Sequence, residues 1–239
     1  LGTADAIVYN DREDGTAVAR IAPVDGSPVR TVPRAVGSVS ADGKWGVSYG
    51  FARVEHYMPG YGYLNLDDDV EMGNQRPEDD GMYAVDMQTG EVRLLFSVAH
   101  VAELIRDEPT MQDTFHFFSH TVFSPDGNTL FVILEGRGPG ENGRIEAWDW
   151  KSGERALCSV DLGANITGLA FSPDGTALAV RSWNDRKSTW RVRLVDLATG
   201  QAVVVLEGEW EFRDLAFSPD SRMLAVACND LKVHLVDVA

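Results

Sequence analysis

Short apolar runs alternate with turn-forming residues along this chain, and the same phrases recur. "TVF" and "TLFVIL" flank "SPDG" at 124–127, "GLAF" and "ALAV" flank it at 172–175, and "DLAF" and "MLAVAC" flank "SPDS" at 218–221. Ser-Pro-Asp-Gly has the chemistry of a type I turn: Pro presets the second position, Asp tolerates the third, and Gly closes the fourth. Each phrase therefore predicts two β-strands joined by a tight turn. "GSVSADGKWGVSYGF" at 37–51 is an eroded copy, with Ala41 in the place of Pro. A second phrase lies between the copies: "YAVDMQTGEVRLLF" (83–96), "EAWDWKSGERALCSV" (146–160) and "RLVDLATGQAVVVL" (193–206). Each reads as strand, glycine turn, strand. "ARIAPVDGSPVRTV" (19–32) is a looser version, and "HLVDVA" begins the phrase at the end of the chain.

The unit is thus four strands, A to D, and its period is 48 residues from Ser124 to Ser172 and 46 from Ser172 to Ser218. A four-stranded sheet cannot bury both faces alone, whereas sheets stacked in series bury them against each other. A period in the forties predicts an all-β fold, a β-propeller of four-stranded antiparallel blades. The blades fall at 4–32 (partial), 36–96, 119–160, 166–207 and 213–239 (partial), within a single domain that is either a five-bladed ring with compromised closure or, the favoured reading, part of a larger ring. One segment, about 98–106 ("VAHVAELIR"), reads as helical.

Two connections break the repeat. The B–C connection of the blade at 36–96 carries extra residues within 51–81, and the following D–A connection, 97–120, is also long. Antiparallel strands alternate in direction, so B–C and D–A connections share one end of the sheets. Both insertions are expected on a common face, the natural place for binding. The first offers Arg53, His56, Tyr57, Tyr61, Tyr63, Glu78, Asp79 and Asp80 as candidate ligand-binding residues, the tyrosines as flat, partly polar surface for a peptide or a sugar. Asp67, Asp69 and Glu71 alternate as calcium-binding carboxylates can, although a solvated acidic loop explains them better. The second insertion ends with His116 and His120, a pair that one metal ion could bridge on a turn but not on an extended strand. His120 is expected to begin the innermost strand of its blade.

Composition narrows the partners. A net charge of −16 disfavours nucleic acid and anionic membrane, since phosphate binding draws on clustered Lys and Arg. There is no apolar run long enough for a membrane span. Cys158 and Cys228 lie far apart in apolar contexts and read as small buried hydrophobes. Residue 1 is Leu, which leaves a removed leader open; the cytoplasm is favoured, with the periplasm as the alternative.

The repeats "FSPDGTALAV…VRLVDLATGQ" and "FSPDSRMLAVACNDLKVHLVDVA" resemble bacterial WD-repeat and YVTN-type propellers, a likeness that implies a scaffold for partners. In the first half, "FARVEHYMPGYGY", "PEDDGMYAVDMQTGEVRLLFS" and "HFFSHTVFSPDG" are similar to uncharacterised bacterial propellers related to oligogalacturonate lyases. That resemblance implies a manganese ion held by histidines, with Arg53 as charge stabiliser and one of His56, His116 and His120 as the base. The later histidine-rich motifs are missing, and Glu135 stands where a histidine is expected. The sequence reading therefore favours a non-catalytic scaffold that needs no cofactor and binds a protein or glycan through 51–81 and 97–120. A metal-dependent polysaccharide lyase is the alternative.

Overall fold

The computed structural model describes residues 6–64, 66, 72–106, 115–137, 143–155, 160–162, 164–184 and 188–238. Five antiparallel sheets follow one another along the chain. The first holds β1 (Ala6–Glu13), β2 (Thr16–Pro23) and β3 (Arg30–Val32). The second holds β4 (Ser38–Val39) and β5 (Trp45–Ser48), then, after helix α1 (Phe51–Tyr57), β6 (Gly81–Asp86) and β7 (Val92–Ser97). Helix α2 (Val98–Leu104) leads to the third sheet. It contains β8 (Phe115–Phe123), β9 (Thr129–Arg137), β10 (Gly143–Asp149) and two short outer pieces, β11 (Glu154–Arg155) and β12 (Val160–Asp161). The fourth runs β13 (Asn165–Phe171), β14 (Ala177–Asn184), β15 (Thr189–Asp196) and β16 (Ala202–Gly208). The fifth stops at three strands, β17 (Phe212–Phe217), β18 (Met223–Cys228) and β19 (Val233–Asp237). The first and last sheets share no strand, so no ring is closed by pairing among the described residues.

Period-two alternation sends neighbouring side chains to different interfaces. In β9, Leu130, Val132 and Leu134 join the core shared with the second sheet, while Phe131 and Ile133 join the core shared with the fourth. Ala19, Ile21 and Val85 fill the interface of the first two sheets; Ala179, Val192, Leu224 and Val226 fill that of the last two. One core therefore lies between each adjacent pair of sheets, and each sheet is buried only by its neighbours.

The recurring phrases close their turns with the same bonds. Gly43, Gly127 and Gly175 donate N–H to the carbonyls of Ser40, Ser124 and Ser172 at 2.8–2.9 Å, each with positive φ. Asp42, Asp126, Asp174 and Asp220 each accept the hydroxyl of the serine two residues before and a backbone N–H two residues after. Asp86, Asp149 and Asp196 accept pairs of backbone N–H groups in the second phrase. These hydrogen bonds hold all seven carboxyls below the usual aspartate range. A depressed folded-state pKa contributes stability above the unfolded value, about 4, that is lost as pH falls through the folded values. The thermal midpoint should accordingly fall as pH drops below about 4. A midpoint that holds or rises there would contradict this account of the turns.

Candidate functional site

The two long connections emerge at the same end of the second sheet and are tied together. Val98 N–H donates to the Asp80 carbonyl at 2.9 Å, and Ala99 N–H to that of Pro77 at 3.0 Å. The first connection opens with α1, although only 98–106 reads as helical from the sequence. The helix has no side-chain N-cap and is held by packing: Phe51 and Val54 are buried in the core between the second and third sheets. The Glu55 carboxylate accepts the N–H groups of Gly60 and Gly62 at 2.9 and 3.2 Å, which folds the next turn back onto the helix.

The candidate residues separate into buried and exposed sets. Arg53 is 1 % exposed; its Nε donates to the His116 carbonyl at 2.8 Å and its Nη2 to the Asn74 carbonyl at 2.7 Å. Asp80 is also buried; desolvation pushes its carboxyl up, while Arg53 opposes that shift. A Cβ at Gly50 would stand 2.7 Å from the Asp80 carboxylate, so the glycine makes room for the charge. Tyr57 was expected to offer exposed surface. Instead it is half-buried, stacking on Phe115 and Phe117 at 5.1 and 5.8 Å, with its hydroxyl donated to the Met72 carbonyl. Tyr61 and Tyr63 are exposed, as are Glu78, Asp79 and His56, whose ring packs edge-on against Tyr57 at 4.7 Å. Asp67, Asp69 and Glu71 lie outside the described residues.

His116 and His120 both lie inside β8, which begins at Phe115, so His120 does not open the strand and no turn brings the pair together. Ser119 is an extra residue in the ladder: Phe118 pairs with Leu134 and His120 with Ile133. His116 sits opposite Gly136, an odd number of positions from Ile133, so this bulge places the two histidines on opposite faces. His120 is near Tyr61, ring centres 6.5 Å apart, and burial together with Arg181 holds its imidazole below the usual range.

Several residues of the site were not anticipated. Arg181 donates to the Thr167 carbonyl at 3.0 and 2.7 Å and to the Phe212 carbonyl at 2.7 Å, lashing β13 to β17. Asn10 pairs with Val36 through both amide atoms at 2.8 Å and donates to the Tyr63 hydroxyl at 3.0 Å. It lines two clefts: one of about 260 Å³ shared with Arg12, Ala17, Tyr63, Leu64 and Leu66, and a more open one of about 290 Å³ along β1 and residues 36–39.

Exposed apolar side chains mark this end of the molecule. Tyr61, Leu64, Leu104, Trp210 and Leu231 all stand on B–C or D–A connections, whereas only Val24 and Val29 do so on the connections of the opposite end among the described residues. Asn229 N–H donates to the Glu211 carbonyl at 2.9 Å, joining the Trp210 and Leu231 loops. Leu231 is 96 % exposed and holds φ at +67°, a left-handed conformation that costs a branched residue roughly 1–2 kcal/mol. Leu231→Gly should therefore raise the unfolding free energy by about 1 kcal/mol in urea titration. A loss of stability would mean that the side chain packs in solution.

Comparison with known proteins fits this geometry. The WD domain, G-beta repeat family model matches residues 200–237, that is β16 to β19 with its flanks. In the solved structure of the mitotic checkpoint complex, a chain superimposes with a TM-score of 0.57 at 14 % identity, covering 98 % of this chain and 59 % of that one. TolB from Acinetobacter baumannii gives 0.53 at 16 % identity, covering 98 % and 51 %. The fold is a β-propeller. Human WD repeat and SOCS box-containing protein 1 is 38 % identical over 86 residues, which is 35 % of this propeller chain and 19 % of that protein. Its Xenopus tropicalis counterpart is 35 % identical over 100 residues, 41 % and 22 % respectively. The matched stretch thus spans about a fifth of these two curated relatives, and the propeller chain covers less than two thirds of these two solved chains.

Proposed function

We propose that this propeller is a non-catalytic scaffold that docks a protein partner on the rim formed by its B–C and D–A connections. The observation that carries this reading is the gathering of Tyr61, Leu64, Leu104, Trp210 and Leu231 at one end of the sheets. Exposed aromatic and leucine side chains are costly in water and become useful when a partner covers them. Tyr61 stands beside His120, and Arg181 donates to the Phe212 carbonyl, two residues from Trp210.

The lyase alternative requires Arg53, His56, His116 and His120 to face a common space. Arg53 instead donates to two backbone carbonyls, His116 is buried, His56 is exposed, and His120 is on the other face of β8 from His116. A glycan in the Tyr63 cleft is the finer alternative, but about 260 Å³ is small for such a ligand. The test is affinity capture by the 239-residue chain, comparing rim variants with a Val24 variant at the opposite end. A partner kept by the rim variants and lost with Val24→Asp would overturn the assignment.

A further inference from the structure

We propose that Cys228, Asp230 and His234 form a zinc-binding site on the β18–β19 hairpin. One ligand atom from each lies within 4.8 Å of the other two, and this is the one such His/Cys/Asp/Glu group of three among the described residues. The hairpin register explains the convergence. His234 pairs with Val226, and Cys228 is two residues further along β18, so Cys228 and His234 project from the same face. Asp230 occupies the turn between them. Its Oδ1 accepts the Lys232 N–H at 3.0 Å, which orients Oδ2 towards His234 Nε2, also at 3.0 Å. Two donors about 2.0 Å from one tetrahedral ion stand about 3.3 Å apart, close to that spacing.

The donor types select the ion. A thiolate and an imidazole suit zinc, whereas calcium and magnesium require oxygen ligands. Three protein ligands leave the fourth tetrahedral position to water or to a partner's side chain. Cys228 packs at the edge of the core between the fourth and fifth sheets, which shelters the site on one side. Lys232 Nζ lies 3.6 Å from Asp230 Oδ2, but its side chain is 71 % exposed and free to swing away when the ion enters. An ion here would brace the loop that displays Leu231; the site itself does not depend on the docking proposal.

The test uses cobalt(II) as a spectroscopic substitute for zinc, added to the reduced 239-residue chain. The expected result is one cobalt per chain, with tetrahedral d–d bands and a thiolate-to-cobalt charge-transfer band, all displaced by zinc. Cys228→Ser should abolish the charge-transfer band. His234→Ala should weaken binding by at least about tenfold, since losing even an outer-shell partner costs 10–100-fold. Cys158→Ser should change neither. A missing charge-transfer band in the folded wild-type chain, or one that survives Cys228→Ser, would overturn the proposal, as would a band that Cys158→Ser removes. Circular dichroism of each variant separates a lost ligand from a lost fold.

Discussion

Replacing Arg53 with methionine should lower the unfolding free energy by about 3–5 kcal/mol, a large part of the margin of an ordinary domain. The guanidinium is almost fully buried, and two of its nitrogens satisfy carbonyls on different segments, His116 in β8 and Asn74 in the first insertion. Without it, each carbonyl loses a charged donor, at about 1–3 kcal/mol apiece, and the Asp80 carboxylate loses its compensating charge. Lysine should not restore the site, because an ammonium cannot reproduce the fork that reaches both carbonyls. The double variant Arg53→Met with Asp80→Asn should recover part of the loss. The pH dependence follows from the direction of the Asp80 shift. A carboxyl whose folded pKa is raised contributes stability at low pH that is lost as pH rises through the folded value. Removing Arg53 raises that value further, so the deficit of Arg53→Met should shrink as pH falls from neutrality towards the unfolded value, about 4. Urea titrations across that range would check this. A deficit below about 1 kcal/mol, or one unchanged by pH and by Asp80→Asn, would show that the pair does not hold the insertion in place.

What could be read from the sequence followed the range of the forces involved. The turns were legible because Ser, Pro, Asp and Gly act within four residues, and the serine-to-aspartate bonds recur in every copy. Helix α2 was legible too: it lies within the segment 98–106 that reads as helical, and Ser97 caps it by accepting the His100 N–H. Helix α1 was not: it carries no cap, and it forms because Phe51 and Val54 enter the core between the second and third sheets. The separation of His116 from His120 depends on the bulge at Ser119, which exists only through the pairing of β8 with β9. Arg53 was recognised as a functional candidate, but its burial depends on Asp80 and His116, 27 and 63 residues away. Arg181 left a signal in the repeat. Nine residues after the turn serine, the other copies carry Tyr49, Ile133 and Ala227, so an arginine there departs from the pattern and marks the lashing of β13 to β17.

Trp210→Ala should weaken binding of the captured partner by about 2–4 kcal/mol, roughly 30- to 1,000-fold in Kd. Tryptophan and tyrosine supply large contact area with few rotatable bonds, which is why they carry a disproportionate share of interface energy. Trp210 is 61 % exposed, so its removal should change the stability of the free chain by no more than about 0.5 kcal/mol. That combination, a large affinity loss with an unchanged fold, distinguishes a docking residue from a structural one. Tyr61→Ala should also weaken binding, because its ring stands out from the first insertion towards His120. Val24→Asp should leave binding unchanged, since Val24 is equally exposed but belongs to the other end of the sheets. Leu231→Gly offers the sharpest contrast: relief of the left-handed strain should stabilise the chain while loss of the side chain weakens the complex. If Trp210→Ala, Tyr61→Ala and Leu231→Gly all bind as the wild type does, the apolar side chains of the rim are not where the partner sits.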